Sequence, residues 1–182
     1  MSGSTRSRLP ELRRQVLDLA AANGIEILNG SGRGRAYRGM PSRGRAARIR
    51  VPEIRGQVSY FVALHELGHL VARGNRSLPQ LEAEAQAWRW ALDHSLVEPT
   101  PTTRARIRTY LRSYYERAVV RRVLGRRVVA AIPPAESPYW ALLAELGDPD
   151  PHPGPVTVRV VPSGGVGRKR SRFGARIRRA GR

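Results

Sequence analysis

The chain has 182 residues, no cysteine, and 33 Lys plus Arg against 14 Asp plus Glu, a formal net charge of +19. Without cysteine there are no disulfides and no thiolate ligands, so any metal site must use nitrogen and oxygen donors. The length suits one domain with appendages, and no apolar run approaches the roughly 20 residues that span a bilayer. The polar, basic start, Met1 to Arg14, is followed by no apolar h-region, which argues against a secretory signal and makes the cytoplasm the expected compartment.

In chain order, Pro10 to Ala22 reads as a helix with Leu12, Val16 and Leu19 on one face, ended by Asn23-Gly24. Ile25 to Leu28 is a short strand, and the Gly- and Arg-rich residues 29–45 read as a loop or loose hairpin. Ala46 to Ile54 alternates as a strand, with Pro52 at an edge or the strand's end. Gln57 to Ala72 is the strongest helix, with a core stripe of Tyr60, Leu64, Leu67 and Val71. A second helix runs from about Pro79 to Leu96, stopped by Pro99 and Pro101. Thr102 or Thr103 is expected to cap a third, from about Arg104 to Leu124. Arg126 to Ile132 reads as a strand, and Ser137-Pro138 opens a short helix through Leu146. Asp148 to Pro155 has the composition of a linker. The rest, with eight Arg, one Lys and no acid after Pro151, reads as a basic tail, disordered at its end.

His65-Glu66-Leu67-Gly68-His69 is an H-E-x-x-H pattern within the strongest helix. Helical spacing sets His65 and His69 about 40° apart and one turn apart, so both imidazoles can reach one ion. Glu66, about 100° round from His65, can approach that ion's water without being a ligand. A catalytic zinc site takes three protein ligands and an open position. On the following helix Glu84 shares a face with Leu81, Trp88, Ala91, Leu92 and Ser95, whereas Glu82, Gln86, Arg89 and Asp93 cluster on the other side as a solvated face. A carboxylate on an apolar stripe needs a cation, and either an arginine or the ion held by the two histidines could supply it. The convergence of motif and geometry favours the ion. His94 and His152 fit the ligand set poorly.

With these residues in place, Ile25 to Pro99 resembles the ImmA/IrrE family of metallopeptidases, through ARIRVPEI, SYFVALHELGHLV and EAEAQAWRWAL. Glu84-Ala85-Gln86-Ala87-Trp88 stands where that family has Glu-Ala-Asn followed by an aromatic, with Gln86 in place of Asn. The resemblance implies an α+β fold, a mostly helical zincin-like domain with a small β-sheet and two antiparallel metal-binding helices. Composition adds a basic C-terminal tail, so the chain divides into a metallopeptidase-like domain at 1–147, with its core at 9–124, and a linker and tail at 148–182. The resemblance also implies zinc held by His65, His69 and Glu84, Glu66 as catalytic base, and a protein substrate such as a DNA-binding repressor. Tyr110, Tyr114 and Tyr115 are candidates for stabilising the developing oxyanion.

The charge lies in the flanks. Residues 1–55 carry 12 Arg against 4 acids, and residues 102–182 carry 18 basic residues against 5 acids. The middle, 56–101, has 3 Arg against 5 acids. Arg104, Arg108 and Arg112 at i, i+4, i+8 form a candidate phosphate-binding ridge, and Arg168, Lys169, Arg170 and Arg172 a candidate tail site, both for nucleic acid without base readout. Two other readings stand beside the peptidase. One is a nucleic-acid-binding accessory or antirestriction-type protein with a structural zinc. The other is a basic phage or ribosome-associated protein with a vestigial motif.

Overall fold

The computed structural model describes residues 8–30, 34–72, 75, 78–123, 133–152, 157–160 and 175–178. Helix α1 (Leu9–Ala22) has Pro10 in its first turn and buries Leu12, Val16 and Ala20. Gly24, at a left-handed φ of 63°, turns the chain into β1 (Ile25–Asn29). β2 (Arg35–Tyr37) and a 3-10 turn (Pro41–Arg43) follow, then β3 (Ala47–Val51). Helices α2 (Gln57–Val71), α3 (Gln80–Asp93), α4 (Pro101–Val123) and α5 (Pro138–Glu145) complete the body. β4 (Thr157–Val160) and β5 (Ala175–Arg178) pair antiparallel.

The three-stranded sheet has the order β1-β3-β2, with β1 parallel and β2 antiparallel to β3. Ile49 and Val51 of β3 face the core while Arg48 and Arg50, alternating with them, face outward, the period-two pattern of a sheet covered on one side. β3 is thus central. Pro52 falls just past its end, where the missing N–H costs no ladder bond. The chain is mixed α+β and mostly helical, as its patterning implies. Its core joins Leu12 and Val16 to Tyr60, Phe61, Leu64 and Leu67 of α2, and these to Trp88, Leu111 and Leu142. No helix among the described residues is long and apolar enough to cross a membrane.

Of the two readings of the Gly- and Arg-rich stretch, the loose hairpin is the one formed: β2 pairs antiparallel with β3, and Met40 bridges Arg45. Other expectations need correction. The third helix begins at Pro101, and its cap is Thr100: the Thr100 Oγ1 accepts from the Thr103 N–H at 3.2 Å. Pro101 at the first helical position loses no hydrogen bond, so it opens α4, while α3 has already ended at Asp93. Glu82 and Arg89 face α5 instead of open solvent. Glu82 accepts from the Ser137 hydroxyl at 3.0 Å, and Arg89 pairs with Glu145. Ser137 caps α5 as expected. The strand expected at Arg126 to Ile132 lies outside the described residues.

Candidate metal centre

Two close approaches bring the site together. Gly68, in the turn between the two histidines of α2, lies against the backbone of α3: a Cβ there would sit 2.7 Å from the Ala87 carbonyl oxygen and 3.1 Å from the Ala87 Cα. Only glycine lets the two helices come this near, and the approach sets α3's Glu84 beside His65 and His69. The second approach is Gly34, just before β2. A Cβ there would meet the Glu66 carboxylate at 2.6 Å.

Glu84 Oε2 lies 3.2 Å from His65 Nε2 and 3.4 Å from His69 Nε2, and the two ring nitrogens are 3.1 Å apart. Four ligands placed tetrahedrally about 2.0–2.1 Å from an ion are about 3.3 Å from one another, so these three atoms have the spacing of one face of such a shell. Among the described residues this is the group of His, Asp and Glu that could hold a metal ion. His65 is 3% exposed and Glu84 7%. Although both imidazoles lie close to Glu84 Oε2, that buried oxygen has no hydrogen-bond partner. An acceptor placed so, with two nitrogens converging on the same point, fits a cation better than it fits any neighbour in the chain.

The protonation states suit ligation. Burial pulls His65 down to about 4, so its imidazole is neutral. Burial acts against the Glu84 carboxylate, but the two adjacent imidazoles outweigh it and hold the group at about 2. Burial likewise opposes charge on His69, yet Glu84 beside it raises its pKa above the ordinary value. His65 Nδ1 has no hydrogen-bond partner. The ring stacks instead on Trp88, centroids 4.1 Å apart, and that contact orients it.

Glu66 stands beside the group without joining it. Burial pushes its pKa up to about 7, against the lowering influence of His69 and, more weakly, of the Ala36 backbone N–H in β2. Two cavities meet at Gly34, Glu66 and Tyr114. One, about 410 Å³, runs from His65 between Val58, Val62, Trp88 and Tyr110. The other, about 460 Å³, opens past His69 and Glu84 towards β2. Tyr110 and Tyr114, two of the three candidate oxyanion donors, line this space. Tyr115 does not: it is buried against Trp140. Gly34 and Ala36 escape notice in the sequence, since a Gly- and Arg-rich stretch carries no signal of its distance from Glu66.

The arginine ridge of α4 is turned to another use. Arg104 bonds the Pro99 carbonyl and pairs with Glu98. Arg108 donates to the carbonyls of Leu146 and Gly147 at the end of α5. Arg112, with a side chain only 16% exposed, forms a two-pronged pair with the buried Asp148. The expected linker therefore begins with a buried ion pair. Helical spacing puts these arginines on one face, as read, but Arg108 and Arg112 bond to the turn after α5 and Arg104 to the segment before α4. His94 stacks on Trp90 and His152 lies near Trp140, both away from the site. Arg168, Lys169, Arg170 and Arg172 lie outside the described residues.

No protein-family model matches the chain, and comparison with curated proteins and with solved structures finds no match.

Proposed function

We propose that this chain is a zinc-dependent peptidase of the H-E-x-x-H type, with a zincin-like site similar to that of the ImmA/IrrE metallopeptidases. In this reading His65, His69 and Glu84 hold the ion and Glu66 is the general base. The observation that carries it is the place of Glu66: a buried carboxylate beside three converging donor atoms, at the junction of two cavities. A structural zinc site is closed by a fourth protein ligand. Among the described residues no fourth His, Asp or Glu joins the group, and its open side faces the cavities. That favours chemistry over scaffolding.

Bound there, zinc supplies Lewis acidity, polarising a carbonyl and making a water easier to deprotonate. The remaining work falls to the chain. Glu66, held near neutrality by burial, accepts the proton of the attacking water and returns it to the leaving amine. The Ala36 N–H and the wall at Gly34 fix where its carboxylate points. Trp88 keeps the His65 ring in its ligating plane, and the cavity behind it takes an apolar side chain of the substrate. Tyr114, between the two cavities, is placed to donate to the developing oxyanion. By analogy with the family it resembles, the proposed substrate is a DNA-binding regulatory protein.

The test compares wild type with Glu66→Gln for zinc content and for hydrolysis of unfolded protein substrates and of proteins encoded nearby. Both should bind one equivalent of zinc. The variant should hydrolyse about 10² to 10⁴ times more slowly, the usual worth of a general base. A variant that keeps both metal and full activity removes Glu66 from the mechanism, and a wild type that takes up no zinc removes the reading altogether.

A further inference from the structure

The acidic residues of this protein are spent unevenly. Arg8 pairs with Glu11, Arg13 with Glu53, Arg89 with Glu145, Arg104 with Glu98 and Arg112 with Asp148. The sheet and the loop leading into β3 are different. Arg35, Arg38, Arg43, Arg45, Arg48 and Arg50 fall within residues 34–51, and among the described residues none of them has an ion-pair partner.

Strand register places three of these on one surface. Arg35 of β2 lies directly opposite Arg50 of β3, and Tyr37 lies opposite Arg48, whose guanidinium sits over the Tyr37 ring at 5.4 Å. Because Ile49 and Val51 point into the core, Arg48 and Arg50 point away from it, and the cross-strand partners share their face. The only acid in β1 is Glu26, opposite Arg48, and the two do not form an ion pair. Like charges directly opposite on neighbouring strands repel and destabilise the pairing. A sheet face that carries Arg35 against Arg50, neither of them ion-paired, and one acid, Glu26, against three arginines, is arranged for an anion from outside.

We infer that this outer sheet face, with Arg35, Arg48 and Arg50 around Tyr37, is a docking surface for the phosphodiester backbone of nucleic acid. The recognition is of charge and spacing, without base readout, since the face carries guanidinium groups and lacks a helix or ribbon to enter a groove. It replaces the α4 ridge, whose arginines are occupied internally. At the β2 edge the face adjoins the candidate site, since Arg35 and Tyr37 also border the cavity that opens past His69 and Glu84. This inference does not depend on the peptidase reading.

The test is fluorescence anisotropy of the full-length, zinc-loaded chain with a labelled 20-base-pair duplex of mixed sequence, from 50 to 300 mM salt. Arg35→Ala/Arg48→Ala/Arg50→Ala is compared with a charge-matched control, Arg14→Ala/Arg55→Ala/Arg106→Ala. The sheet variant should bind on the order of tenfold more weakly at 150 mM salt, with a salt slope shallower by about 2 to 3, the loss of three phosphate contacts. The control should stay near wild type. Equal losses in both variants, or none in either, would assign binding to net charge or to the tail and overturn the inference. So would tighter binding to anionic lipid vesicles or to an acidic peptide than to DNA. If zinc content or Tm shows that the triple variant misfolds, Arg48→Gln alone decides, through a slope change of about one.

Discussion

Asp148 meets Arg112 between α4 and the turn after α5, and Glu84 meets His65 and His69 between α2 and α3. Both are buried carboxylates facing nitrogen donors, yet they are finished differently. The Asp148 oxygens accept both prongs of the Arg112 guanidinium, one of them also takes the Asp150 N–H, and Arg112 donates further to the Asp150 carbonyl. Glu84 has two nitrogens within 3.4 Å of one oxygen, and that oxygen has no hydrogen-bond partner. A saturated buried pair holds two segments of a fold together. One left short of a donor, as at Glu84, makes a group that could hold a metal ion.

Breaking the two should therefore have different consequences. Asp148→Ala leaves a mostly buried guanidinium without its counter-charge and should cost about 3–5 kcal/mol in denaturant unfolding, with zinc binding unchanged in the folded fraction. A loss below about 1 kcal/mol would mean that the pair is held by its surroundings and holds nothing itself. Glu84→Gln keeps the shape but removes a ligand charge. Competition with a chelator should show zinc affinity lower by more than the roughly 10–100-fold typical of an outer partner. Retained affinity would mean that Glu84 is not a ligand.

A third test uses pH. Glu66, near 7 in the folded metal-free protein and near 4.5 when unfolded, binds its proton more tightly in the fold. Its contribution is therefore favourable at low pH, is lost as pH rises from about 4.5 through about 7, and stays lost above. In chelator, Glu66→Gln should be more stable than wild type above pH 7 by about 1–3 kcal/mol and equal to it near pH 4. Unfolding curves whose difference does not change with pH would contradict the burial of this carboxylate. The smallest effect on the fold is expected from Gly34→Ala, whose added methyl meets the Glu66 side chain, at 2.6 Å from its carboxylate oxygen and 2.7 Å from its Cγ, rather than backbone. Stability should fall by about 1 kcal/mol, while hydrolysis falls at least about tenfold as the carboxylate is displaced.

The candidate metal group is legible in the sequence because each part follows from a local rule. The His65 and His69 spacing is helical, and Glu84 is conspicuous as a carboxylate on the apolar stripe of Leu81, Trp88 and Ala91. The Ser137 cap is legible for the same reason. What the sequence hides depends on partners far along the chain. The i, i+4, i+8 spacing of Arg104, Arg108 and Arg112 says that they share a face, but not that Gly147 and Asp148 will lie against it. β2 has no pattern of its own and exists because β3 pairs with it. Gly34 and Ala36 matter only once that pairing has set them beside α2.

β2 is a wall one peptide thick with different tenants on its two sides. Its middle residue, Ala36, holds the Glu66 carboxylate through its N–H, while the residues before and after it, Arg35 and Tyr37, belong to the arginine face. Arg35, in the proposed phosphate face, is one Cα step, about 3.8 Å, from Ala36, whose amide faces the Glu66 carboxylate. That amide is one of the groups holding the acidity of Glu66 in check, so leaning on the wall from outside, enough to lift Ala36 away, would make the carboxylate inside harder to ionise.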